Sequence, residues 1–196
     1  MTQTITRLYD DYDTALEAVR ELKRSGLTDQ EISLVANAGS GEDRVTESGS
    51  GTGTTGAEIG GAVGAGAGLL AGLGILAIPG IGPVVAAGWL ASTAAGAVAG
   101  AVLGGGAGGI VDSLTSSGTP ERDAHVYAEG VRRGGSLVTV RVPDDREMEV
   151  TRILAKYPAV DTMARGDEYR RAGWRQFDEN AAPYAPAIRD RPAPLR

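Results

Sequence analysis

The sequence predicts an α+β protein, a ferredoxin-like α/β sandwich interrupted by an inserted glycine-zipper α-helical hairpin. Three observations lead there. Strand and helix signals alternate as βαβ in residues 1–37 and as αβαβ in residues 118–165. No charged residue occurs between Ile59 and Val111. Within that stretch small residues recur every fourth position.

The elements follow in chain order. Thr4–Tyr9 carries Ile5, Leu8 and β-favouring residues and reads as a strand. Asp13 or Thr14 can cap the next element, in which Ala15, Leu16, Ala18, Val19 and Leu22 repeat at helical spacing until Gly26. Glu31–Ala36 is a second strand. Residues 38–56 are dominated by Gly, Ser, Thr and Glu with almost nothing to bury, the composition of a flexible linker. Residues 57–117 form the insert. Ile59–Ile78 is a helix candidate roughly 30 Å long, Pro79-Gly80-Ile81-Gly82-Pro83 breaks it, and a second helix candidate runs from Val84 to Leu114. Thr119-Pro120-Glu121 opens a helix that reaches Arg133. Ser136–Val142 is the clearest strand. Asp144–Tyr157 is helical with Met148, Val150, Ile153 and Leu154 apolar, and Val160–Met163 can supply a short last strand. Residues 166–196 are a tail with Tyr169, Trp174, Phe177 and Tyr184, ending Pro-rich. Those aromatics suit docking onto the domain or onto a partner.

Whole-chain numbers bound the function. The 196 residues allow one domain and an extra element. A net charge of -6 disfavours nucleic acid, which needs a surplus of Lys and Arg on one face. With no cysteine, disulfides and thiolate chemistry are excluded. The N-terminal MTQTITRLYDDYD lacks the basic start and apolar run of a secretory signal, so a cytoplasmic start is expected.

The insert carries the functional expectation. Gly60, Gly64, Gly68 and Gly72 share one helical face, as do Gly88, Ser92, Gly96, Gly100, Gly104 and Gly108. Such small-xxx-small faces let backbones approach closely, so these residues are the expected oligomerisation site. Compositional bias toward Gly and Ala is the plainer source of such spacing. Each helical Gly is worse than Ala by about 0.8–1.0 kcal/mol, so helices of this kind need neighbours or lipid. Length suits a membrane crossing. The eight larger apolar residues of the first run supply only about -2.4 to -4.8 kcal/mol before that glycine cost. Glu58 and Asp112 flank the run, where Lys or Arg would mark a cytoplasmic anchor. A soluble assembly that buries hairpins against each other is the competing expectation. Trp89 suits a membrane interface or packing within the hairpin.

DYDTALEAVRELKRSGLTDQEISLVAN, IPGIGPVVAAGWLASTAAGAVAGAVLGG and GTPERDAHVYAEGVRRGGSLVTV together resemble the bacterial general stress protein (heat-induced stress protein domain) family. The resemblance covers most of residues 4–142. The block Gly118–Gly130 and the PGIGP turn are its most distinctive parts. It implies expression under heat or general stress. It carries over no biochemical activity and no catalytic residue.

Other constellations are thinner. Gly51–Gly56 fits GxGxxG, yet a polar linker precedes it and the required acid downstream is missing. His125 with Glu121 and Glu129 could in principle bind a metal, but i,i+4 surface pairing explains the spacing as well. Asp10, Asp11 and Asp13 read as a solvated loop with a helix cap. No catalytic, cofactor-binding or metal residue is assigned. The expected protein is a non-enzymatic, stress-associated homo-oligomer that contacts membrane through its hairpin. Its expected place is the cytoplasmic side of the inner membrane, or the cytoplasm as a soluble assembly. The alternative is a soluble regulatory or ligand-binding α/β module with the hairpin as oligomerisation core.

Overall fold

The computed structural model describes residues 2–38, 74–78, 80–90, 109–181 and 184. Five strands form one antiparallel sheet in the order β1-β5-β2-β4-β3. They are β1 (Thr2–Tyr9), β2 (Ile32–Asn37), β3 (Gly74–Ile78), β4 (Gly82–Ala87) and β5 (Ser136–Pro143). The described helices are α1 (Tyr12–Arg24), α2 (Ile110–Ser116), α3 (Glu121–Arg132), α4 (Glu147–Leu154) and α5 (Thr162–Arg171), with a short 3-10 turn at Asp144–Arg146. The α+β class expected from the sequence is present.

The sheet is covered on both faces. Ile5, Ile32, Leu34, Val85, Val138 and Val140 pack with Val19 and Leu22 of α1 and with Val150 and Leu154 of α4. Leu8, Val35, Val84, Ala86 and Leu137 turn the other way, toward Leu114 of α2, Tyr127 and Val131 of α3, and Phe177. Burial on both faces explains why β2 and β5 read as almost unbroken apolar runs. At about 25 cal/mol per Å² of apolar surface removed from water, these two clusters are the main force closing the layers.

Three expectations are corrected. The first helix candidate fails at Gly74–Ile78 and the second at Gly82–Ala87, because both segments are strands, paired from Gly74↔Ala86 to Ile78↔Gly82. A short apolar run bounded by Gly and Pro fits a doubly buried strand as well as a helix, and β-branched Val84 and Val85 tip the balance. Pro83 is tolerated near the start of β4. Ile110–Ser116, at the far end of the second candidate, is helical as expected. Residues 39–73 and 91–108, with the linker and the rest of the insert, lie outside the described residues.

The second correction concerns Val160–Met163, which forms no strand. Asp161 accepts hydrogen bonds from the backbone N–H groups of Met163 and Ala164, so it caps α5 and the chain turns helical there. One trace of the expected pairing survives: the Val160 N–H donates to the Leu8 carbonyl at 2.8 Å. Third, α1 is capped at Asp11, two residues before Asp13 and three before Thr14. The Asp11 carboxylate accepts from the Thr14 N–H at 2.8 Å and from its hydroxyl at 2.7 Å.

Candidate functional site

The insert joins the sheet on the far side of β2 from β5. β4 pairs with β2 from Leu34↔Ala87 to Asn37↔Val84, and β3 closes the described sheet as an edge strand. Of the ten expected oligomerisation residues, only Gly88 is described. Gly60, Gly64, Gly68, Gly72, Ser92, Gly96, Gly100, Gly104 and Gly108 lie outside the described residues. Gly88 is not on a helical face. Its φ is +84, and a Cβ there would strike the Ile32 carbonyl oxygen and lie 2.8 Å from the Ser33 Cα. Its missing side chain lets the end of β4 lie against β2 within one chain.

Beyond Gly88, Trp89 is half-buried and lies under a guanidinium. Arg141 of β5 stacks on the indole at 3.2 Å from the ring centroid, and its Nη2 donates to the Ser117 hydroxyl at 3.0 Å. Burial lowers the Arg141 pKa. Arg141 belongs to β5 and so lies outside the hairpin in which the sequence expectation packed Trp89.

Where the sheet faces α2 and α3 it carries a short polar row among apolar side chains. Thr6, Thr139 and Ser33 stand side by side across β1, β5 and β2, and all three are buried. Ser33 donates to the Ala87 carbonyl at 2.8 Å. The Thr6 and Thr139 hydroxyls have no hydrogen-bond partner among the described residues. Tyr127 of α3 donates to the Thr6 carbonyl at 3.2 Å, and burial raises its pKa.

Glu129 is the charged residue that sequence reasoning left as a surface pair. It is 1% exposed. Arg132 binds both its carboxylate oxygens at 2.8 Å, and the Arg133 Nε donates to one of them at 2.6 Å. The i,i+3 and i,i+4 spacing to two arginines was the available signal. This geometry commits Glu129 to a guanidinium pair. His125 has Glu121 at 3.9 Å, and among the described residues no group of three metal-binding side chains assembles.

Arg133 extends the cluster into the tail. Its guanidinium lies 4.2 Å from the Tyr169 ring centroid and 4.9 Å from that of Tyr184. Trp174 meets Tyr169 edge-on at 5.6 Å. Arg165 holds Asp10 with two hydrogen bonds, at 2.7 and 2.9 Å, tying α5 to the loop after β1. The tail aromatics dock onto the domain, with Tyr169 and Phe177 buried and Trp174 only half-buried.

An open groove between α3 and α5 is lined by Arg122, Val126, Thr162, Met163, Asp167 and Arg170. Gly166 permits the close approach there, since a Cβ would lie 3.1 Å from the Val126 side chain. Arg170 donates to Asp167 at 2.7 Å and holds its carboxyl below the usual carboxylate range. The Gly51–Gly56 motif lies outside the described residues. Among the described residues no helix is long and apolar enough to cross a membrane. Comparison with family models, curated proteins and solved structures finds no match to this chain.

Proposed function

We propose that this chain is a non-enzymatic, stress-associated protein that self-associates and contacts membrane through its charge-free insert, carried on a ferredoxin-like α/β domain. The central order β1-β5-β2, with α1 and α4 together on one face, supports the domain assignment. The observation that carries the assembly reading is the contrast between the sheet's two edges. β1 presents Arg7 and receives the Val160 N–H, two ways of blunting an edge. β3, Gly-Ile-Leu-Ala-Ile, has no charge and no proline, and among the described residues it pairs only with β4. It sits inside the stretch from Ile59 to Val111 that holds no charge at all. The four-residue spacing of small residues on either side supports close packing between copies.

The test is sedimentation of the full chain beside a Gly64→Leu/Gly100→Leu variant, in detergent if needed. Leucine raises helix propensity and apolar area together. Association by greasiness would hold or strengthen. Association through a groove of small residues weakens, and that is the expected result. Assembly equal to the parent's would sink the proposal. Fractionation supplies the second arm: a pellet that resists salt and yields to detergent supports membrane contact. A second reading rests on the α3–α5 groove, where Arg122 and Arg170 suit a negatively charged small molecule in a soluble module. A soluble dimer stabilised by such a ligand would favour it.

A further inference from the structure

Residues 172–181 leave the end of α5 and cross to the insert, and the contacts on the way are unequal. Backbone hydrogen bonds among the described residues stay local: Trp174 to Tyr169 at 3.0 Å and Ala181 to Asp178 at 3.2 Å. Asn180 donates its N–H to the Asp178 side chain at 2.8 Å, closing a turn within the segment. The hold on the body comes from elsewhere. Phe177, 4% exposed, enters the apolar cluster that contains Ile78 and Ile81 at the β3–β4 turn and Ile110 at the start of α2. Gly80, with φ +75, lies directly beneath it: a Cβ there would meet the Asp178 carbonyl at 2.5 Å and the Phe177 ring at 3.0 Å. Gly109, the residue before α2, lies under the Glu179 carboxylate, whose Cδ is 2.7 Å from the Cβ position. One short segment thus presses on the turn of the inserted hairpin and on the point where the chain re-enters the domain.

We infer that residues 173–181 are a detachable clasp that keeps the β3–β4 hairpin and the start of α2 seated in the sheet, and that opening the clasp makes the insert available for assembly. A strand or helix is held by a ladder of backbone bonds that break cooperatively. Among the described residues this segment is held by the Phe177 anchor, two glycine platforms and the edge contact of Trp174 with Tyr169, so it can leave without unzipping the sheet. Its own charge loosens it. The Glu179 carboxyl is partly buried beside Asp112 and Asp178, which raises its pKa and disfavours the ionised form in the closed state. The second half of the inference rests on the proposed self-association; the first half does not.

The full chain decides it by hydrogen exchange read strand by strand, with sedimentation alongside. Phe177→Ala is expected to speed exchange of the β4 amides at least about tenfold while β1 and β5 hold their protection. Equal acceleration across all strands would reduce Phe177 to an ordinary core residue, and unchanged β4 exchange would mean the segment holds nothing. Either result overturns the clasp. Should Phe177→Ala fold poorly, a Gly109→Cys/Glu179→Cys pair gives the opposite arm in a chain without native cysteine. Oxidation is expected to slow β4 exchange, and reduction to restore it; no difference between the two states counts against the clasp. Assembly should rise in Phe177→Ala and fall in the oxidised pair. If exchange responds and assembly does not, the clasp stands and its link to assembly is overturned. Loss of assembly in Gly64→Leu/Gly100→Leu reports on the proposed function and leaves β4 exchange unchanged.

Discussion

Under α1 and α4 the sheet meets aliphatic side chains almost throughout, supplied by Ile5, Ile32, Leu34, Val138 and Val140 from the strands and Val19, Leu22, Val150 and Leu154 from the helices. Under α2 and α3 it carries Thr6, Thr139 and Ser33 in a row, and the layer above includes an ion-paired glutamate, a buried tyrosine and a borrowed phenylalanine. The first face joins α1 and α4 from either side of the insert and, among the described residues, takes only Val85 and Ala87 from the insert itself. The second is assembled from the insert, α3 and the tail. An aliphatic face holds by volume and dryness, so it fails when it loses a side chain or gains an unpaired polar group. A face with buried polar groups and a replaceable anchor can also be loosened group by group. The second face therefore suits a working surface, and the first suits a foundation.

The sharpest way to break the contrast is to damage the foundation. Leu154 is fully buried between α4 and the sheet. Leu154→Ala is expected to cost about 2–5 kcal/mol and to lower the denaturant midpoint of the whole domain in one transition. Two transitions would mean that the two faces unfold separately. Glu129 is the next largest. Glu129→Ala leaves two guanidiniums facing each other at the tail, although Arg132 and Arg133 retain some solvent. With that screening, the loss is expected at about 1–3 kcal/mol, and exchange should rise first near Tyr169 and α3. A loss below about 0.5 kcal/mol, the size of an ordinary surface substitution, would show that the cluster is not a structural lock.

How much of this was legible depends on the element. β1, α1, β2, α3, β5 and α4 carry periodic apolar signals between clear stops, and each formed where expected. The inserted hairpin was misread at Gly74–Ile78 and Gly82–Ala87 because five or six apolar residues fit either period. Only their pairing with each other and with β2 makes them strands. The Val160 strand was lost to a cap, since two hydrogen bonds to Asp161 outweigh the ladder bonds of a very short edge. Tail docking was visible in the density of aromatics, while the choice of Phe177 as anchor depends on Gly80 and Ile81, remote in sequence. The buried state of Glu129 was not visible at all, because charge spacing on a helix says nothing about what covers it.

Alkali tests the packing of the first face by a smaller effect. On the first face, burial pushes the Tyr9 hydroxyl up to about 12 from its ordinary 10.0. Tyr157, packed against the same cluster, rises to about 12 because its hydroxyl donates to Glu21 at 2.7 Å. Both folded values exceed the unfolded one. Their contribution is therefore complete below pH 10 and is lost as pH rises toward 12, since the unfolded chain releases those protons first. Absorbance titration should show at least two of the six tyrosines ionising late, with stability falling across that window. Titration of all six near 10 would contradict the packing described for the first face.

The smallest effect is the most discriminating, because it uses adjacent residues of one strand. Val140 and Thr139 are both fully buried on β5 and point to opposite faces. Val and Thr have nearly the same shape, so exchanging one for the other changes polarity with little change in volume. On the first face Val140→Thr places a hydroxyl among Ile5 and Ile32, its cross-strand neighbours, which offer no acceptor side chain. The expected cost is about 1–3 kcal/mol for an unsatisfied buried hydroxyl. On the second face Thr139→Val removes a hydroxyl that already lacks a partner among the described residues. It is expected to be neutral or to stabilise by up to about 1 kcal/mol. Opposite signs in the two variants, measured by denaturant unfolding, would place the polarity of the second face on the sheet itself. A clear loss of stability in Thr139→Val would mean that the hydroxyl row across Thr6, Thr139 and Ser33 is satisfied, and the second face would then be as firmly closed as the first.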